Sequence, residues 1–393
     1  MLALAALLAA LPRTALGAIE TETVATGLTF PTNIALTPDG RIFFAERDTG
    51  QVRIIEDGRL LPQPFAGVGA TGPGSELKET GLLGIALDPN FASDPWVYVY
   101  YSSPADGNNH LSRIRAEGNV AGPRENLLTL LPTANAYHNG GDLAFGPDGK
   151  LYVTVGEGHE AGRAQDPNDL GGKILRLNPD GTIPEDNPFG ADNPAYSMGH
   201  RNSFGICFDP TTGQLWETEN GPSSDDEVNL IEAGENYGWP VLMGPGGGAR
   251  YRDPVLDFPE IIVPTGCAVW GGDLYFGDFG GRLHRLDLPA AAPAADELVA
   301  RFPAGITDLQ VAPDGSLYVA TADSILSAAV PPSPSASRTA SPLPTPSPVA
   351  STASPSPVAA SSGRAGPIAA AIILAVVIAG GLAFRAWGKR SSS

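Results

Sequence analysis

Four short segments of this chain hold more reactive groups than turns need. Tyr137-His138-Asn139-Gly140-Gly141 places an imidazole beside two glycines, and Gly199-His200-Arg201-Asn202 places a guanidinium beside an amide. Glu219-Asn220 runs into Gly221-Pro222-Ser223-Ser224-Asp225-Asp226-Glu227, a turn-rich stretch ending in three consecutive carboxylates. Asn236-Tyr237-Gly238-Trp239-Pro240 is the fourth. An imidazole titrating near neutrality can take a proton from a substrate hydroxyl. An Arg-Asn pair can hold an anionic or carbonyl-bearing ligand. Acidic oxygens together with free loop carbonyls suit calcium, although the spacing is not that of an EF-hand, and a solvated acidic turn accounts for the carboxylates equally well. A lone histidine is more often structural. The second polar cluster beside His138 favours a chemical role for it.

These segments must be held by something repetitive. An apolar strand, a Pro-Asp-Gly-type turn and an alternating strand recur six times. The turn prolines are Pro38, Pro89, Pro147, Pro210 and Pro313, with Gly271 of a Gly-Gly turn in the fifth position. Hairpins with period-2 patterning at such intervals read as the blades of an all-β, six-bladed propeller. Each blade covers its faces with its neighbours, so the ring has to close. The His138 and Arg201 segments then occupy the same place in consecutive blades, just before the innermost strand, where side chains face the channel mouth.

Composition agrees. Gly (48) and Pro (38) are frequent and charged residues make up 17%, which favours turns and strands over long exposed helices. The net charge of −19 opposes a phosphate backbone and argues against nucleic-acid partners. Two cysteines, Cys207 and Cys267, exclude a disulfide scaffold and a cysteine metal cluster, leaving either one disulfide or two buried thiols.

The order of segments resembles the soluble glucose/sorbosone dehydrogenases, six-bladed propellers that oxidise aldose sugars with pyrroloquinoline quinone (PQQ). The matching pieces are Gly81-Leu-Leu-Gly-Ile-Ala-Leu-Asp-Pro-Asn-Phe, His138 with its Gly-Gly, Gly172-Lys-Ile-Leu-Arg-Leu-Asn-Pro-Asp-Gly, Gly199-His-Arg-Asn, the Glu219–Glu227 stretch and Asn236-Tyr-Gly-Trp-Pro. The resemblance implies a sugar oxidoreductase with PQQ and calcium (Ca2+) as cofactors, an aldose as substrate and a separate electron acceptor. It implies that His138 is the general base, with Arg201 sharing in catalysis. Glu79, Arg201, Asn202, Gly221 and Pro222 would bind the cofactor. Gly221, Pro222, Asp226, Glu227 and Tyr237 would serve as metal ligands. Three cations that usually meet the carboxylates of PQQ are replaced here by Phe279, Gly305 and Thr307, and Glu79 stands where the family has glutamine. The alternative is a non-redox, calcium-binding propeller that takes a glycan or a protein through the same loops.

Both ends of the chain read as membrane addresses. Residues 1–18 form an apolar run closing in small residues, a signal-peptide pattern. The propeller would fill 19–330. Residues 331–364 are Pro/Ser/Ala/Thr-rich and read as an extended stalk. Residues 365–384 are uncharged and mostly apolar, long enough to span a bilayer. Arg385, Lys389 and Arg390 follow, which places the 385–393 tail in the cytoplasm and the propeller outside the cell.

Overall fold

The structure, a computed structural model, describes residues 19–70, 78–130 and 136–329. The expected signal peptide, stalk, membrane helix and tail lie outside the described residues. Among the described residues no helix is long and apolar enough to cross a membrane.

The body is a propeller of six four-stranded antiparallel blades, with one extra short strand, Ala66–Gly67, in blade one. The innermost strands are Pro31–Leu36, Leu82–Leu87, Gly140–Phe145, Ser203–Phe208, Pro264–Trp270 and Ile306–Val311. Each begins at the channel mouth and runs to a short turn at the far end. In the first repeat Thr37 N–H donates to Arg41 O at 3.0 Å, and Gly40 supplies the left-handed residue (φ 88°) that Pro-Asp-Gly needs. Blade six is completed by the beginning of the body: Thr21–Thr26 pairs with Ser324–Ala328 as its outermost strand. That pairing removes two free sheet edges and closes the ring.

Six apolar clusters hold the blades together, one in each interface between neighbours. Phe43, Ile54, Ile85 and Val97 join blades one and two, and Phe44, Ile34, Ala320 and Ile325 join blade six to blade one. Burying one such side chain contributes roughly 1.5–3 kcal/mol. The period-2 pattern places these residues on blade faces, and ring closure then puts every face against another. Cys207 and Cys267 form a disulfide between the innermost strands of blades four and five, with Cα atoms 5.7 Å apart.

Candidate active site

The antiparallel register brings two kinds of loop to the channel mouth. One kind precedes the innermost strand, the other leaves the second strand. In blade three Gly140 pairs with Val155, so the 136–139 loop and the loop after Val155 meet. In blade four Ser203 pairs with Glu219, so 199–202 meets 220–225. His138 and Arg201 are thereby placed at equivalent positions on adjacent blades, as their spacing predicts.

His138 is buried and sits in the left-handed region (φ 55°). The two glycines after it are forced by packing. A Cβ on Gly140 would lie 2.7 Å from Gly156 N, and one on Gly141 2.8 Å from the Tyr100 ring. The His138 N–H donates to Glu79 Oε2 at 2.8 Å. Its ring contacts Glu157 Oε1 through Nδ1 at 2.7 Å and Arg201 Nη2 through Nε2 at 2.9 Å. A guanidinium can only donate, so Nε2 is the accepting nitrogen and Nδ1–H donates to Glu157. A carboxylate on one nitrogen and a lone pair on the other is the tautomer a base requires.

Glu157 is 2% exposed, its N–H donates to Arg201 O at 2.9 Å, and its Oε2 has no protein partner. Its loop is pinned by Lys173, whose Nζ donates to the carbonyls of Arg163, Ala164 and Gly171. Burial pulls the Lys173 ammonium down to about 8. Arg163 is held in ion pairs with Glu160 and Asp169.

Arg201 spans the two halves of the site. Its Nη1 donates to Asn220 O at 2.8 Å, the guanidinium lies 5.4 Å from the Trp239 ring centroid, and its Nε is buried without a partner. Burial lowers its pKa, against the pull of Glu219, Glu157 and Glu79. Asn202 Nδ2 donates to Glu79 Oε2 at 3.0 Å, so Glu79 ties the Asn202 amide to the His138 backbone.

Beneath these groups, Glu219 accepts from the Arg201 and Asn202 N–H groups and contacts His200 Nδ1 at 3.2 Å. Burial pushes the Glu219 carboxyl up, but the His200 contact and the Asn202 N–H outweigh it and the net shift is downward. Its neighbour Glu217 is pushed well above the usual range, by burial and then by Glu219. His200 is 1% exposed and stacked on Tyr237, with centroids 4.9 Å apart, so its place is structural. The Asn236–Trp239 segment is a clamp on the Arg201 loop. Tyr237 N–H donates to Met198 O, Trp239 N–H to Gly199 O, and Asn236 exchanges two hydrogen bonds with Gln165.

The metal-ligand expectations separate. Asp226 is buried and its carboxylate accepts from the N–H groups of Gly221, Ile262 and Val263, so it staples the turn to the next blade. Tyr237 uses its hydroxyl on Leu230 O and Glu232 N, so any ligand from this residue is its main-chain carbonyl. Glu227 is 2% exposed and accepts from Gly244 N–H at 2.6 Å and Asn229 Nδ2 at 3.1 Å. Burial, with Glu219 and Asp257 adding, pushes its carboxyl up to about 8. Asp225 and Asp257 lie within reach of Gly244, whose N–H donates to Glu227, so three carboxylates crowd that turn. An oxygen-seeking cation suits that surplus of carboxylate. Gly221 lies next to Asn220, whose carbonyl Arg201 holds, so the expected calcium turn and the guanidinium are neighbours.

Phe279, Gly305 and Thr307 sit together across the mouth. The Phe279 ring lies 6.1 Å from Phe30, a Cβ on Gly305 would meet Phe279 O at 2.6 Å, and Thr307 Oγ1 is buried without a partner. Aromatic packing stands at these positions, with the Arg47 guanidinium 3.6 Å from the Phe30 ring centroid beside it, and the glycine is required by the phenylalanine's backbone.

Two residues of the site lie beyond the sequence reading. Glu157 belongs to none of the four segments, and His159 has no setting in the sequence comparable to that of His138, yet His159 Nε2 lies 3.1 Å from His138 Nε2. A signal exists. Gly156-Glu157-Gly158-His159 leaves the second strand of blade three where Glu219-Asn220-Gly221-Pro222 leaves that of blade four.

Known proteins resemble this chain across the whole propeller. The family model described as glucose/sorbosone dehydrogenase matches residues 28–326. The chain is 30% identical over 345 residues to aldose sugar dehydrogenase YliI of Escherichia coli, covering 78% of this chain and 91% of that protein. The PQQ-bound aldose sugar dehydrogenase of Streptomyces coelicolor aligns with TM-score 0.71 and 34% identity, over 78% of this chain and 96% of that one. An oxidoreductase from Thermus thermophilus described as a glucose dehydrogenase aligns with TM-score 0.73 and 39% identity, over 78% and 99%.

Proposed function

Because the chain belongs to the glucose/sorbosone dehydrogenase family, we propose that it oxidises aldose sugars at the anomeric carbon to lactones, with PQQ and calcium, at the cell surface. The observation that carries this reading is the His138 imidazole at the channel mouth, with Nδ1 on buried Glu157 and the Nε2 lone pair held beside Arg201. A hemiacetal hydroxyl is a weak acid, so the proton has to be taken as hydride departs. His138 Nε2 takes that proton, and Glu157 stabilises the imidazolium that results. Glu79 fixes the His138 backbone and the Asn202 amide in one geometry.

PQQ, when bound, supplies the two-electron acceptor for the hydride. The donors present fit it: a partly buried guanidinium with an unpaired Nε, the Asn202 amide and the Trp239 ring. Arg201 and Asn202 would hold it, with Glu79 orienting the amide, and Arg201 would stabilise charge developing on its oxygens. The Gly221 and Pro222 carbonyls would hold a calcium ion beside it, and Glu227 with the Tyr237 carbonyl a second one. Calcium supplies Lewis-acid polarisation at the first place and loop rigidity at the second. A separate electron acceptor would be needed to complete each turnover. A body displayed outside the cell on a stalk and one membrane helix, with the tail inside, would meet extracellular sugar directly.

The test is direct. Purified protein is titrated with PQQ in the presence of calcium, followed by absorbance, and dye reduction is measured with a panel of aldoses. The expected result is stoichiometric uptake and sugar-dependent reduction. No uptake would overturn the reading and favour a propeller that binds a glycan or a protein.

A further inference from the structure

Sugar oxidation as described leaves one chemically capable group unused. His159 lies two residues past Glu157, is solvent-exposed and has a left-handed backbone (φ 61°). Its ring stands at 74° to that of His138, with centroids 4.0 Å apart and the two Nε2 atoms at 3.1 Å. Its other face lies on the Tyr137 ring, 5.4 Å away and tilted by 15°. Two imidazole nitrogens at that distance share one hydrogen, because two lone pairs or two N–H groups would repel. His138 Nε2 already accepts from Arg201, so in the resting state the shared hydrogen belongs to His159.

The proton that a sugar gives to His138 must leave before the next turnover. Of the groups around the His138 ring, Glu157 is buried and Glu79 and Arg201 are partly buried, whereas His159 reaches solvent. We infer that His159 is the proton outlet of this site, a positioning residue that relieves His138 Nε2 of the sugar's proton and passes it to water. The inference rests on the sugar-oxidising reading. The anomeric O–H bond breaks as N–H forms on His138 Nε2, which ends the hydrogen bond it accepted from His159. Neutral His159 then exchanges its Nε2 proton through solvent for one on Nδ1, so that a lone pair faces the new N–H. That N–H breaks as N–H forms on His159 Nε2, and His159 Nδ1 releases its proton to water. No electrons move in these transfers, and His159 ends in its resting tautomer. Burial of its inner edge, then His138, and in smaller part Arg201, hold the His159 imidazole below the usual histidine range against Glu157 and Glu79. It is therefore neutral near pH 7 and free to accept.

Two substitutions test this. His159→Phe keeps an aromatic ring against Tyr137, and His159→Ala empties the place. With PQQ and calcium loaded, both are expected to lower kcat about tenfold in weak buffer, with sugar KM and PQQ uptake unchanged, and added imidazole restores the alanine variant. In protein without cofactor, imidazole nitrogen NMR should show an N–H···N bridge at His138 Nε2 in the wild type and lose it in both variants. Wild-type kcat in both variants overturns the outlet. So does a loss that imidazole does not restore, since that would be a packing defect. A wild type that takes up no PQQ overturns sugar oxidation itself, and the outlet with it, whatever the NMR shows.

Discussion

The six innermost strands end in two different chemistries. At the channel mouth they are preceded by loops carrying His138, Arg201 and Asn202, which meet Glu157 and Glu219. At their far ends Ile34, Ile85, Leu143, Ile206 and Val311 help line a cavity of about 420 Å³ that has no charged side chain in its lining and also touches Cys207 and Cys267. Between the two lies a polar girdle. Asn33 Nδ2 of blade one donates across the channel to Asp142 Oδ1 of blade three at 2.9 Å, and Ile34 N–H donates to Asp308 at 2.8 Å. The strands are alike, so the difference comes from their connections. Far-end turns are short and only reverse the chain. Mouth loops are longer and are held by groups from neighbouring blades, so they can carry buried charge without disturbing the ring.

On that contrast, mouth substitutions remove chemistry and leave the fold, while far-end substitutions do the reverse. The largest effect is expected from His138→Ala. Single-turnover reduction of bound PQQ by saturating sugar should fall about 10²–10⁴-fold, with PQQ uptake and melting temperature retained. A wild-type rate would place the base elsewhere and break the contrast. At the far end, Cys207→Ala combined with Cys267→Ala should cost about 2–5 kcal/mol in urea unfolding and leave the rate of the folded protein intact. A lost rate in a folded double variant would show the two ends to be coupled.

Calcium sharpens the comparison within the mouth. Chelation should lower the melting temperature, because a cation at a hundredfold excess over its Kd stabilises by about 2.7 kcal/mol. Glu227→Gln should remove most of that response, and an unchanged melting curve with no metal in the purified protein would count against both calcium sites.

The smallest effect concerns the girdle. Burial raises the Asp142 carboxyl from 3.8 to about 6, and Asp308 shifts the same way, by burial and then by Asp142. A raised carboxyl contributes stability that is complete below the unfolded value and is lost as pH rises through the folded one. The contribution therefore fades between about pH 4 and pH 6. Asp142→Asn should flatten that part of a melting-temperature series, and an unaltered slope would mean the girdle does not titrate as a unit.

Much of this is legible without coordinates. Six turn signals announce six blades, and the shared position of His138 and Arg201 puts both at one mouth. Turn chemistry and period-2 patterning act over a few residues, so a linear reading captures them. Pairings across the ring do not declare themselves in that way. Thr21–Thr26 closes blade six with a strand from the other end of the body, and the spacing of Cys207 and Cys267 leaves a disulfide and two free thiols equally open. Asp226 reads as a metal ligand in its acidic run, yet backbone N–H groups of Ile262 and Val263 claim its carboxylate. His159 has no setting in the sequence comparable to that of His138, and only the folding of blade three brings the two rings together. The sequence by itself determined the blades, their number and the mouth. Tertiary structure decided the partner of each charged group, because burial and distance between blades are set only when the ring closes.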